Sequence, residues 1–269
     1  MLLIIRIYRT LAVLMGINDS KNEVLLNKGK VKYVYATDNA QEAIIEYTDK
    51  ITAFNSKKCV EYTNKGNICC AISACLFELL EGEGIPTHYI GLVDDHRMLV
   101  DKSEVIPLEV VVRNIATGSL CKELPIKEFS KLVPALIDFY YKDDALNDPF
   151  ISEERISLLN IATVTHVENI KKYAKAINEV LSKFFNEIGI TLVDFKVEFG
   201  FNKEGKIILI DEISPDNCRL WDWEKSINDE KSLDKDIFRQ DKDGLIEAYA
   251  TVLWRIKRIC LSPHVICSK

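Results

Sequence analysis

No apolar run in the 269-residue chain approaches the 18 or more residues of a membrane-spanning helix, so a helical span is not expected. Glycine (11) and proline (7) are too scarce for a collagen-like or low-complexity chain. There is no C-x-x-C pair among the eight cysteines, and the four histidines are scattered, so a zinc site is not indicated. The phosphate loop G-x-x-x-x-G-K-[ST] and the dinucleotide fingerprint G-x-G-x-x-G are both missing. A surplus of basic charge is missing too. Acidic residues number 41 and basic 35, a net charge of −6, which does not suit coating nucleic acid or anionic membrane.

What is present is an ordinary globular composition, 48% apolar and 28% charged, long enough for one large domain or two lobes. The cysteines at 69, 70 and 75 fall in a helical pattern, and the set is read as reduced, packing cysteines of a cytoplasmic protein. Residues 1–20 carry Arg6 and Arg9 ahead of a short apolar stretch. That stretch is too short for a signal-peptide core, and the segment is poor in serine for a transit peptide. It is read as an N-terminal extension.

The first region is β-rich. Residues 24–27 and 31–37 flank the turn Lys28-Gly29-Lys30, and 43–48 form a third strand. A helix opens at Asn67, with Ile68, Ile72, Cys75, Leu76, Leu79 and Leu80 at helical spacing, and stops at Gly82, Gly84 and Pro86. Strands at 88–93 and 97–100 follow, then an extended segment at 106–116. In the second half, Thr165 and Glu168 read as a capping box for a long amphipathic helix with Gly189 beyond its end. Strands at 190–201 and 206–213 and a final helix at about 243–259 complete an α+β pattern.

The second hairpin carries the chemistry. Alternation puts Phe195, Val197 and Phe199 on one face and Asp194, Lys196 and Glu198 on the other. A four-residue loop at 202–205 places Lys196 opposite Asp211, and a one-residue slip substitutes Glu212. Carboxylates gathered on one patch repel unless cations hold them. Lys196 supplies one charge, and Mg²⁺ commonly joins one or two carboxylates to substrate phosphates. The row lies in an apolar stretch and leads into a polar turn with Arg219. This favours metal–phosphate chemistry over a solvated ion pair. Lys28, Lys30 and Lys32 around Gly29 suit a phosphate, as do the guanidinium forks of Arg113, Arg219 and Arg239 and the Gly118-Ser119 turn.

The stretches NKGKVKYVYAT, TAFNSKK, EGIPTH, PLEVVVRNIATGSL, LVDFKVEFG, DEISPDNCRLWD and SLDKDIFRQD run in one order over roughly residues 24–255. Together they resemble the phosphoribosylaminoimidazole-succinocarboxamide synthase family. The resemblance implies an α+β, two-lobed, ATP-grasp-like architecture with antiparallel sheets. It divides the chain into an extension (1–20), a nucleotide-covering β-rich lobe (21–105) and a lobe with metal and ribonucleotide sites (106–269). It implies an ATP- and Mg²⁺-dependent ligase of purine biosynthesis that joins L-aspartate to carboxyaminoimidazole ribonucleotide (CAIR), with neither nucleic acid nor membrane as partner. A homo-oligomer is compatible with the sequence, which carries no signal for one.

Residue by residue, the resemblance puts Gly29, Lys30, Val31 and Lys32 over the ATP phosphates and Lys196 and Glu198 in the nucleotide-contacting strand. Glu198 and Asp211 would hold Mg²⁺. Arg113, Ser119, Arg219, Lys235 and Arg239 would grip the ribonucleotide. Asp194 and Asp216 would orient these groups or the substrate amine, with Lys196 joining them in catalysis. The stretch 106–109 would border adenine. Ser56 stands where some members have glycine. The rival readings are a small-molecule kinase with the same cradle and a nucleotide sensor without turnover.

Overall fold

The computed structural model describes residues 24–225 and 231–260. The N-terminal extension (1–20) and the tail beyond 260 lie outside the described residues. The described chain builds two five-stranded sheets and a small two-stranded one.

The first sheet holds β1 (Leu25–Lys28), β2 (Lys32–Ala36), β3 (Glu42–Tyr47), β6 (Tyr89–Leu92) and β7 (Arg97–Asp101) in the order β1-β2-β3-β7-β6. Its pairings are antiparallel. Between β3 and β6 the chain makes a hairpin, β4 (Lys50–Ala53) with β5 (Lys58–Glu61), and a helix, α1 (Lys65–Gly82). Ile68, Ile72, Leu76, Phe77 and Leu80 of α1 are buried, each side chain contributing roughly 1.5–3 kcal/mol. Gly84, in the left-handed region at φ +81°, ends the helix.

At Glu104 the chain leaves the first sheet. β8 (Glu104–Ile115), β9 (Lys131–Tyr141), β10 (Ile190–Phe201) and β11 (Ile207–Ile210) form the second sheet in the order β11-β10-β8-β9. β12 (Cys218–Asp222) pairs with the other end of β10. Short helices α2 (Ser119–Glu123) and α3 (Glu153–Leu158) lie in the connections. The long α4 (Val164–Glu187) covers one face of the sheet, where Phe195, Val197 and Phe199 meet its buried Ile170, Ala174, Ile177 and Leu181. A short α5 (Asp236–Arg239) and α6 (Leu245–Cys260) close the described chain, α6 packing on α1. β11 ties the two sheets together, since Leu209 N donates to Pro86 O and His88 N to Leu209 O, both at 2.9 Å.

Three expectations change. The cap of α4 is Thr163, whose hydroxyl accepts the His166 amide at 3.2 Å, so the box at Thr165 and Glu168 starts two residues late. The hairpin pairs Phe201 with Ile207 rather than Lys206. The reason is local: Asn202 N donates to Lys206 O, Gly205 sits at φ +72°, and the Asn202 side chain accepts the Glu204 and Lys206 amides. The loop is three residues, 203–205, a form that places glycine in the left-handed position. Of the polar, turn-rich stretch 214–219, Cys218 and Arg219 instead open a strand, β12.

Candidate active site

One face of the second sheet faces α4. The opposite face carries the charge. Register places Glu198 beside Glu109, Lys196 beside Val111 and Asp194 beside Arg113. Across β8, Tyr140 lies opposite Glu109 and Asp138 opposite Val111. Paired residues share a face, so a single polar surface runs from Glu198 to Arg113.

At the Glu198 end, Lys196 Nζ contacts the Glu109 carboxylate and lies 3.3 Å from Glu198 Oε1, which also takes Lys142 Nζ at 2.6 Å. Lys32 arrives from the first sheet. Its ammonium contacts Asp211 and stands 3.0 Å from Glu212 Oε1. Asp211 was expected opposite Lys196 in the ladder. The corrected register ends the ladder at Glu198 and Ile210. Asp211 instead leaves the strand at φ +71°, and that turn brings its carboxylate to the lysines. Burial works against the Asp211 charge, but Lys32, Lys196 and Lys142 outweigh it and hold its pKa below the usual range. Burial likewise opposes the Lys196 ammonium, while Glu198, Glu109 and Asp211 raise its pKa.

At the other end, Arg113 reaches Asp138 at 3.1 Å, Tyr140 OH at 3.1 Å, Ser119 Oγ at 3.3 Å and Asp194 at 3.5 Å. Arg219 donates to the same Asp194 oxygen at 2.6 Å and to Asp236 at 2.8 Å, and Arg239 meets Asp236 at 2.6 Å. Asp194 therefore bridges two guanidinium groups. Gly118 leaves room for one of them, since a Cβ there would stand 2.8 Å from Arg219 Nη2. Lys235 donates its amide to Pro215 O, and burial pushes its ammonium pKa down.

The remaining expected residues are placed apart. Gly29 closes the β1–β2 turn, its amide on Lys32 O at 2.9 Å, and Val31 O accepts Thr48 Oγ1 at 2.8 Å. Lys30 reaches Asn55 at 2.9 Å and Asp144 at 2.6 Å. Asp216 is buried against Lys65 and Tyr249.

The structure adds Glu109, Asp138, Tyr140, Lys142 and Glu212 to the surface. Glu109 was readable, since residues 109, 111 and 113 of one strand share a face. Glu212 was the slipped alternative. The β9 residues carried no such signal, because β9 was not read as a strand. Among the described residues, one three-ligand constellation is present, Cys69, Glu212 and Asp216, with ligand atoms within 4.8 Å of one another. Lys65 already neutralises Asp216 there. Among the described residues, no helix is long and apolar enough to cross a membrane.

The family profile described as SAICAR synthetase matches residues 25–256. The phosphoribosylaminoimidazole-succinocarboxamide synthase of Parasynechococcus marenigrum is 51% identical over 240 residues, 89% of this chain and 96% of the relative. The protein of that name from Nautilia profundicola is 47% identical, covering 87% of this chain and 99% of the relative. A solved SAICAR synthetase in complex with ADP superposes with a TM-score of 0.81 at 43% identity, covering 86% of this chain and 96% of that one. The Ehrlichia chaffeensis phosphoribosylaminoimidazole-succinocarboxamide synthase gives 0.83 at 40% identity, covering 87% and 98%. These relatives share the ATP-grasp-like α+β fold. With that likeness running the length of both sheets, the chain belongs to the SAICAR synthetase family.

Proposed function

We propose that the polar surface binds ATP at its Glu198 end and CAIR at its Arg113 end, and that the protein is the ligase that joins L-aspartate to CAIR. The reading rests on one observation above others: a lysine–carboxylate cluster and a paired-guanidinium cluster share one sheet face. The first suits a nucleotide triphosphate. The second suits the phosphate and carboxylate of a ribonucleotide.

A carboxylate resists attack by an amine. Transfer of the γ-phosphoryl group to a CAIR carboxylate oxygen gives an acyl phosphate and ADP. The aspartate amine then attacks the acyl carbon, the C–O bond to phosphate breaks, the amine loses a proton, and the amide of SAICAR remains. Lys30, Lys32 and Lys196 offset phosphate charge, Gly29 and Val31 bring backbone near the phosphates, and the stretch 106–109 borders adenine. Arg113, Ser119, Arg219, Lys235 and Arg239 hold the ribonucleotide, with Asp194 setting the arginines. Asp216 sets the turn that leads into Arg219.

The hard oxygens of Glu198 and Asp211 fit Mg²⁺, and Glu212 stands beside Asp211. Bound there, the ion would neutralise charge on the β- and γ-phosphates. The half up to about residue 105 then covers the nucleotide, and the half beyond it holds metal and ribonucleotide. Cys59, Cys69, Cys70, Cys75, Cys121 and Cys218 are free thiols, which suits a reducing cytoplasm.

The test is direct. ADP release is measured with ATP, Mg²⁺ and CAIR, with and without aspartate. Aspartate-dependent ADP release is expected. Release without aspartate dependence, or none at all, would overturn the reading.

A further inference from the structure

Lysine in the first turn of a helix is disfavoured twice. The free amides there repel positive charge, and an ammonium taken from water loses its hydration. Lys65, the first residue of α1, breaks both rules, with a side chain only 1% exposed.

Its place is held from every side. Asp49 accepts the amides of Asn64 at 3.2 Å and Gly66 at 2.9 Å, offsetting the helix terminus. Gly66 lets the terminus press on β3, since a Cβ there would stand 2.4 Å from Tyr47 O. The ammonium pairs with Asp216, whose side chain is 4% exposed. Tyr249 of α6 donates to the other Asp216 oxygen at 2.7 Å. One carboxylate thus joins α1, α6 and the turn 212–217.

The turn is itself wired to both ends of the site. Asp216 N donates to Ser214 Oγ at 3.1 Å, and that hydroxyl donates to Glu212 Oε2 at 2.6 Å. The second Glu212 oxygen lies 3.0 Å from Lys32, which holds Asp211. In the other direction the chain runs through Cys218 into Arg219, and Pro215 O accepts the Lys235 amide at 3.1 Å.

We propose that Lys65 is a positioning residue for the ligase reaction: through Asp216 it fixes the turn 212–217, and so sets the distance between the acids at the phosphate end and Arg219 at the ribonucleotide end. The inference rests on the ligase reading above. Phosphoryl transfer needs the CAIR carboxylate placed against the γ-phosphorus. A small displacement costs rate while each substrate still finds its own anchors.

The experiment uses the full chain and two variants, Lys65→Met and the double variant Lys65→Met/Asp216→Asn. The second avoids a lone buried carboxylate and so remains folded if the first does not. Folded fraction is read by circular dichroism, and kcat and both KM values by ADP release. The expected result is a fall of about a hundredfold in kcat per folded molecule in the double variant, with KM for ATP and CAIR within about threefold of wild type. A near-wild-type kcat per folded molecule, a loss that merely follows the folded fraction, or a loss carried by KM would overturn the inference. A wild-type chain without aspartate-dependent ADP release would instead overturn the ligase reading, and the inference with it.

Discussion

Several lysine–aspartate pairs link the chain before Glu104 to the chain after it, and two of them differ sharply in burial. Lys30 and Asp144 meet at 2.6 Å on the rim, with side chains 37% and 66% exposed. Lys65 and Asp216 meet in the interior, at 1% and 4%. Water screens the first pair, which contributes at most about 1 kcal/mol and can release its lysine to a competing phosphate. The second pair has no solvent to fall back on, so losing one partner strands the other charge. Lys32 is intermediate, largely buried yet held by two carboxylates at the site. On the proposed function, the loosely held cation is the one offered to substrate and the enclosed one belongs to the framework.

Substitutions at the site, in the interior and on the rim should differ in what they cost. The largest effect is expected at Asp211→Asn. Turnover should fall by about a hundredfold to a thousandfold while circular dichroism stays that of the folded protein, as when one electrostatic stabiliser of a transition state is removed. Near-normal turnover would remove Asp211 from the chemistry. Next comes Lys65→Met alone, which should lose about 3–5 kcal/mol in denaturant unfolding. A loss under about 1 kcal/mol would place that pair in the rim class.

A third test concerns the interior near Asp211. Burial pushes the His88 imidazole down to about 4, against about 6.5 in an unfolded chain. Between these values the unfolded chain binds more protons, so stability rises with pH and is lost as pH falls from about 6.5 to about 4. The loss is about 3 kcal/mol. In His88→Phe, unfolding of the metal-free protein should show that much less acid sensitivity across the window. An unchanged acid limb would contradict the assignment.

Arg219→Lys comes fourth. A point charge cannot replace a fork that reaches Asp194 and Asp236, so KM for CAIR should rise by about tenfold. The smallest effect belongs to the rim. Asp144→Asn should change unfolding free energy by less than about 1 kcal/mol. A larger loss would show that the exposed pair is structural after all.

Legibility in the sequence followed local physics. β10 was readable because apolar and polar residues alternate from Val193 to Phe199 and Gly189 and Asn202 bracket the strand. The polar row on it was readable for the same reason. β9 was not, because Pro134 interrupts it and much of it is exposed or half-buried along the sheet edge, which weakens alternation. The hairpin register turned on Asn202, whose side chain replaces a loop residue's work, and loop length alone does not reveal that. The roles of Lys65 and Tyr249 were invisible. Their partner Asp216 lies far along the chain, and no periodicity links them.

Asp211 shows conformation and chemistry selecting one side chain. Left-handed backbone admits few residues besides glycine, asparagine and aspartate. Of these, only aspartate brings a negative charge. Alanine would keep neither the backbone preference nor the charge, and glutamate would keep the charge while straining the main chain. The range of residues tolerated here should therefore be narrower than that of any neighbour whose backbone is extended, even before substrate is considered.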